Sequence, residues 1–317
     1  MIIDARSSAQ LKRHQQSLRI ERVSVSFAKG KKALDDVSLT VPCGLCGILG
    51  RTGAGKTTLL RILAAEQPTG RGRIVFRDID PRRQPEAWRA LVGYLPQNFA
   101  LHPAVPVCVA VEHFTLLRGF TSARERRDHI DVVLDEMELT AVRDHHVGDL
   151  SPALARRLAL AATLVGRPPL VLLDEPTVGL APAERVAFLE LVARVASTTV
   201  VLFTTSDAAD IGDWCTQFVA LHRGRLLLDG APDRLRDAVR GYVWRASIPR
   251  EQLAAMQSLH TVVGIESTGA ATTVRVICAH PPGGGFAPVA PSLSDVYHLC
   301  VRHGAVSMAP RANHQQA

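Results

Sequence analysis

The sequence predicts an α/β fold with a mainly parallel core sheet and a small C-terminal α+β appendage. Three observations carry this. Leu45 to Leu49, Leu170 to Leu173 and Thr199 to Thr204 are continuous apolar or β-branched runs, as expected of strands buried on both faces. Helical apolar periods separate them, which gives the strand–helix alternation of a parallel sheet. A change of composition near Arg240-Gly241 then opens a shorter, strand-rich stretch. At 317 residues the chain exceeds one small domain, and 47% apolar with 21% charged residues is ordinary globular composition. A largely disordered or fibrous chain is excluded.

Along the chain, Leu18 to Phe27 reads as a strand and Ala33 to Val41 as its partner, with Ala28 to Lys32 as the turn. Leu45 to Leu49 stops at Gly50, and Lys56 to Ala65 carries Leu59, Leu60, Ile62 and Leu63 at helical spacing. Arg73 to Phe76 is a strand before a Pro- and Arg-rich stretch, Asp80 to Glu86. Val107 to Arg118 and Arg124 to Glu138 are helices, the second apolar along Ile130, Val133, Leu134 and Met137. Ser151 opens another helix, with Pro152 suited to its first position. Ala183 to Ala196 is the helix between the last two buried strands. Beyond Tyr242 the pattern gives a strand, a helix at Arg250 to Gln257, strands at His260 to Ser267 and Thr272 to Ile277, a Pro/Gly-rich loop from Pro281 to Pro291, and a final helix from Ser292 to His303.

Lys and Arg total 37 against 30 for Asp and Glu, a net charge of +7, which admits an anionic ligand, nucleic acid or membrane surface without choosing among them. No stretch reaches the ~18 apolar residues of a membrane-spanning helix. Met1 to Gln16 is polar and offers no secretory core, and six scattered cysteines suit a reducing cytosol. Cys43 and Cys46 form a C-x-x-C, read as buried strand cysteines. His145-His146 reads as a solvated loop, and Arg124, Arg126 and Arg127 as a solvated helix face.

Gly50-Arg51-Thr52-Gly53-Ala54-Gly55-Lys56-Thr57 fits G-x-x-x-x-G-K-[ST] between a predicted strand and helix. Its glycines let successive N–H groups face a β-phosphate. The helix N-terminus and Lys56 supply positive charge, and the Thr57 hydroxyl suits Mg²⁺. Downstream, the apolar run Leu170 to Leu173 ends in Asp174-Glu175. Asp174 is placed to hold Mg²⁺ through water, and Glu175 to polarise an attacking water. Phosphoryl transfer to water is the implied chemistry.

With these motifs in order, residues 18–240 resemble the nucleotide-binding subunit of an ABC transporter, the bacterial kind that works with ABC-2-type membrane subunits. Phe27 stands where the family's adenine-stacking aromatic sits. Gln97, in Gly93-Tyr94-Leu95-Pro96-Gln97, matches the Q-loop glutamine that senses Mg²⁺ and water. Leu150-Ser151 begins the signature segment, and Asp174 to Leu180 runs from the Walker B acids to the D-loop. Gly224 to Gly230 resembles the usual domain end, and Gly241 to Trp244 the start of a C-terminal extension.

The resemblance implies a P-loop NTPase cassette with an antiparallel β subdomain and a helical subdomain at about 98–165. It implies an accessory α+β domain at 241–303, with tails at 1–17 and 304–317. ATP would be bound by Phe27 and by the loop Gly50, Arg51, Thr52, Gly53, Ala54, Gly55, Lys56, Thr57 and Thr58, and Mg²⁺ by Thr57, Gln97 and Asp174. Glu175 and Gln97 would serve hydrolysis, and Ser151 would act across a dimer interface. The implied partners are ABC-2-type transmembrane subunits and a second nucleotide-binding subunit, identical or different, on the cytoplasmic face of the membrane. No nucleic acid is expected.

Three departures qualify this expectation. The signature's two glycines are replaced by Pro152, which has no N–H, and Ala153, which adds a Cβ. Ala181 replaces the D-loop aspartate, and Ser206 replaces the switch histidine. Losing one preorganised donor to a developing phosphate charge costs on the order of 10²–10³ in rate. The expectation is an exporter subunit whose hydrolysis these departures make slow or asymmetric. The alternative is an impaired ATP-binding regulatory or scaffold subunit.

Overall fold

The computed structural model describes residues 17–26, 32–268 and 271–303. Phe27 and the turn Ala28 to Lys31 lie outside the described residues. Packing divides the chain into two units, Met1–Leu226 and Leu227–Ala317.

The first unit begins with β1 (Leu18–Ser26) and β2 (Lys32–Val41), which pair antiparallel with Leu18 opposite Val41 and Val25 opposite Leu34. β3 (Gly44–Leu49) follows, almost wholly buried, and leads through the phosphate loop into α1 (Lys56–Leu63). β4 (Arg71–Val75) returns to pair with β1, completing a three-stranded antiparallel sheet. Then come α2 (Pro85–Leu91) and β5 (Val92–Leu95). Three helices follow: α3 (Val107–Leu117), α4 (Ala123–Glu136) and α5 (Pro152–Leu164). The core resumes with β6 (Leu170–Asp174), α6 (Pro182–Ala196), β7 (Val200–Thr205) and β8 (Gln217–His222), and β9 (Arg225–Gly230) runs across the division at Leu226.

The central sheet has the order β5-β6-β7-β3-β8-β9, with β5 through β8 parallel. β3 therefore lies between β7 and β8, and the carboxyl ends of β3, β6 and β7 converge on one edge, where α/β sheets place their sites. Leu60, Leu63, Ile48, Leu172, Leu202 and Val219 are buried in one core that joins α1 to both sheets. The β8–β9 hairpin turns at Arg223-Gly224, where both φ angles are positive (49° and 79°), as a type I′ hairpin turn requires. Gly224 N–H then donates to Ala54 O at 2.8 Å, bracing the phosphate loop.

α2 and β5 were not expected from the sequence. Pro85 occupies the first turn of α2, and the buried Trp88 donates from its indole N–H to Leu63 O at 2.7 Å, closing the C-terminal end of α1. Two expectations are corrected. Cys46 is buried in β3, but Cys43 precedes the strand and is exposed. Arg126 is not on a solvated face: it turns back onto Glu112 of α3 at 3.2 Å and donates to Thr121 O at 2.9 Å. Arg124, Arg127, His145 and His146 are exposed.

The second unit holds α7 (Pro232–Ala238), β10 (Val243–Pro249), α8 (Leu253–Leu259), β11 (Thr261–Thr268), β12 (Ala271–Ile277), β13 (Ala287–Pro288) and α9 (Leu293–His303). Its sheet has the order β11-β12-β10-β13. Asp295, 2% exposed, accepts two guanidinium N–H groups of Arg275 and the Ser292 N–H, fixing the start of α9 on β12. Among the described residues no helix is long and apolar enough to cross a membrane.

Candidate functional site

The phosphate loop leaves the end of β3 and enters α1 at Gly55, whose φ is 107°. A Cβ there would stand 2.6 Å from Ala33 O, so conformation and space both demand glycine. Lys56 is the first residue of α1 and is 6% exposed. Its ammonium donates to Gly50 O at 2.6 Å and lies 2.9 Å from Glu175 Oε1. Thr57 and Thr58 are half-buried on the same first turn, and Arg51, Thr52 and Gly53 are exposed at the loop's outer rim. His222, at the end of β8, is held below the ordinary histidine value by burial, and the charges of Arg223 and Arg51 push the same way.

The acids arrive from β6. Asp174 ends that strand opposite Thr204 of β7, and Thr204 Oγ1 donates to Asp174 Oδ1 at 2.7 Å. Thr204 Oγ1 also accepts from Glu175 N–H at 3.1 Å. Asp174 Oδ2 is buried with no hydrogen-bond partner among the described residues. A buried carboxylate oxygen left bare is unfavourable in isolation, and it fits a divalent cation. Glu175 adopts a left-handed backbone (φ 49°), an unusual conformation for a side-chain-bearing residue that is often stored at sites of chemistry. Its Oε2 accepts from Ser206 N–H at 3.0 Å and lies 3.4 Å from Ser206 Oγ. The carboxylate is thus held between the loop lysine and the end of β7.

Gln97 is exposed two residues past β5, whose Leu95 pairs with Leu173, so it leaves the sheet on the edge where Asp174 emerges. Ser151 caps α5, accepting from Leu154 N–H at 3.3 Å, and Pro152 fills the first helical position. That cap explains why proline is tolerated locally: the first-turn N–H it lacks has no intrahelical partner in any case. Tyr94, on β5, has its phenol pushed up to about 12 by burial first and by the negative charge of Asp174 second. Phe27 lies outside the described residues.

Sequence reasoning missed Thr204, Thr177, Arg185 and Asp210. Thr177 and Thr205 both donate to the buried Asp210, and Arg185 pairs with it. The sequence signal was slight: a β-branched run ending in hydroxyls, and an acid shortly after Ser206.

Comparison with known proteins agrees with this geometry. The family model for ABC transporters matches residues 34–178. The chain is 36% identical over 242 residues to the daunorubicin resistance ATP-binding protein DrrA2 of Streptomyces coeruleorubidus, covering 74% of each chain. It is 30% identical over 222 residues to the probable multidrug ABC transporter ATP-binding protein YbhF of Escherichia coli (strain K12), spanning 70% of this chain and 38% of that protein. Among solved structures, cbiO1 from Clostridium perfringens, part of the ABC transporter complex cbiONQ, superposes with a TM-score of 0.63 at 24% identity, over 69% of this chain and 89% of that one. The dimeric post-hydrolysis ATP-binding cassette MJ0796, bound to ADP and Pi, gives 0.60 at 23% identity, over 68% and 98%. These two matches concern the fold. With the phosphate loop, the strand-end acids and the relatives all in agreement, the chain belongs to the ATP-binding proteins of ABC transporters.

Proposed function

We propose that the chain is the ATP-binding subunit of an exporter, resting on the cytoplasmic face of the membrane and driving separate ABC-2-type transmembrane subunits. The observation that carries it is the meeting of Lys56, Glu175 and the bare Asp174 Oδ2 at the end of the sheet. The likeness to DrrA2 and YbhF supports the exporter class. The ATP-binding domain takes residues 18–240, with β9 closing its sheet, and 241–303 form the accessory domain.

In this reading the loop from Gly50 to Thr58 receives the ATP phosphates through backbone N–H groups, with Lys56 as the full charge, and Phe27 stacks on the base. Asp174, Thr57 and Gln97 would hold Mg²⁺, which would neutralise phosphate charge. Glu175 polarises the attacking water once Lys56 is drawn to phosphate, and Ser206 steadies the carboxylate. Two such subunits close head to tail, and Ser151 approaches the partner's nucleotide. Pro152, Ala153 and Ala181 weaken that contact, so hydrolysis is slow in a homodimer. A partner with an intact signature would leave the site in this chain competent, because the signature acts across the interface.

A second reading has its own observation. Among the described residues the Ser206 side chain meets Glu175 alone, and it lacks the imidazole that the resemblance implies would contact phosphate, which favours an ATP-binding regulatory subunit without useful turnover. Single-turnover phosphate release from the chain with its membrane subunits separates the two. Release that Glu175→Gln abolishes supports the exporter engine, and binding without release supports the regulatory subunit.

A further inference from the structure

Asp210 is a buried carboxylate with no part in the chemistry described above. It ends a short turn, Ala208–Asp210, that follows β7. Both of its oxygens are engaged. Oδ2 accepts from Thr205 Oγ1 at 2.6 Å and Thr177 Oγ1 at 3.1 Å, and Oδ1 accepts from Arg185 Nη1 at 2.6 Å.

The three donors come from three different segments. Thr177 stands two residues past Glu175, Thr205 immediately precedes Ser206, and Arg185 lies in the first turns of α6, just past Ala181. Thr205 Oγ1 also accepts from Asp207 N–H at 3.0 Å, so the residues on both sides of Ser206 are tied to one hydroxyl. Ser206 in turn presents its N–H to Glu175 Oε2.

We propose that Asp210 is a positioning residue for Glu175: it clamps the Glu175 and Ser206 segments together so that the Ser206 donors stay on the Glu175 carboxylate. A buried anion strongly favours keeping its donors, because a lost donor leaves charge unpaired in a low-dielectric interior. Charge-assisted hydrogen bonds also resist local opening more than neutral ones do. The clamp matters in this chain because residue 206 is short. Serine and a backbone N–H reach Glu175 only while the end of β7 is held against the start of the Glu175-Thr177 turn. Asp210 acts through Thr177 and Thr205 and not on nucleotide or water itself. The inference rests on Glu175 being the water-polarising group.

The full-length chain tests it with Asp210→Asn, Thr205→Val and Thr205→Ser. Hydrogen exchange at the Ser206 amide reports the clamp directly. Single-turnover phosphate release and ATP affinity, measured on the same samples, report its effect on the site. Asp210→Asn should raise Ser206 exchange and slow phosphate release about tenfold, the lower part of what one acid–base contact contributes, with ATP affinity within about twofold. Thr205→Val should do the same, and Thr205→Ser, which keeps the hydroxyl, should restore both. Ser206 protection unchanged in Asp210→Asn, or release slowed only in step with ATP affinity, overturns the proposal. If Asp210→Asn does not fold, Thr205→Val and Thr177→Val carry the same readings. A wild-type chain that binds ATP without releasing phosphate overturns the hydrolysis reading alone, since the exchange arm still decides the clamp.

Discussion

Lys56 Nζ lies 2.9 Å from Glu175 Oε1, so the lysine of the glycine-rich loop is already paired with the carboxylate proposed to polarise water. Both side chains are nearly buried, and the lysine is also held on Gly50 O. Nucleotide therefore competes with Glu175 for the ammonium. On the function proposed above, binding would transfer Lys56 from carboxylate to phosphate and release Glu175 to act on water. One ion pair couples occupancy of the loop to the availability of the base.

Lys56→Ala removes the full charge from the cradle and leaves Glu175 buried without its cation. ATP affinity should fall by at least about tenfold, the scale of a lost charge-assisted contact. The folded variant should also melt at a lower temperature than wild type. A nucleotide titration checks the first effect and thermal unfolding the second. Unchanged affinity would remove the loop from the nucleotide site.

Glu175→Gln acts in the opposite direction on binding. The amide keeps the size and a hydrogen-bond acceptor but no longer competes electrostatically for Lys56. ATP should bind as tightly as in wild type or tighter, while phosphate release falls on the order of 10²-fold, the scale of a lost general base. Equilibrium binding and single-turnover release on one preparation check both. Weaker binding would mean that the pair does not compete with phosphate.

The sequence carried the phosphate loop and the strand-end acids well, because their chemistry demands particular residue types at fixed local spacing. It carried Asp210 and Thr204 poorly. Their roles depend on β6 lying beside β7 with Asp174 opposite Thr204, a register set by the whole sheet. α2 was missed for a related reason. Its helical signal is short, and Trp88 gains its place from the main core and from the Leu63 carbonyl at the end of another helix. Cys43 shows how sharp such boundaries are: β3 starts at Gly44, and the residue before it faces water.

His129 supplies a pH-dependent contact far in sequence from the phosphate loop. Its Nε2 accepts from Gly166 N–H at 3.0 Å, tying α4 to the turn after α5. Burial, then the Arg167 charge, hold its pKa below the ordinary 6.5, against the opposing pull of Glu136 and Glu125. The fold favours neutral imidazole, so this stability is fully present above pH 6.5 and is lost as pH falls through the depressed folded value. The melting temperature should therefore drop on acidification from pH 7.5 to 5. His129→Gln keeps an acceptor that does not titrate, and it should flatten that part of the profile. A wild-type-like drop in His129→Gln would assign the acid sensitivity to other groups.

Repair of the departed motifs separates a slow ATPase from a chain that only binds nucleotide. Ser206 contacts Glu175 and stands where the resemblance implies a histidine, and Pro152 and Ala153 stand where it implies two glycines. Ser206→His restores a donor within the chain's own site. Pro152→Gly, Ala153→Gly and Ala181→Asp restore the contacts offered to a partner. Ser151 remains as the α5 cap throughout, so the helix start should survive the loss of Pro152. The combined variant should hydrolyse ATP at least about tenfold faster than wild type, a modest gain beside the ~10²–10³ attributed to one lost donor. The gain should rise with protein concentration, because a signature that acts across the interface requires two subunits. A steady-state phosphate assay over a concentration series reads both effects. A folded, ATP-binding quadruple variant with no increase in rate would place the defect outside these motifs, and the regulatory reading would then replace the transport engine.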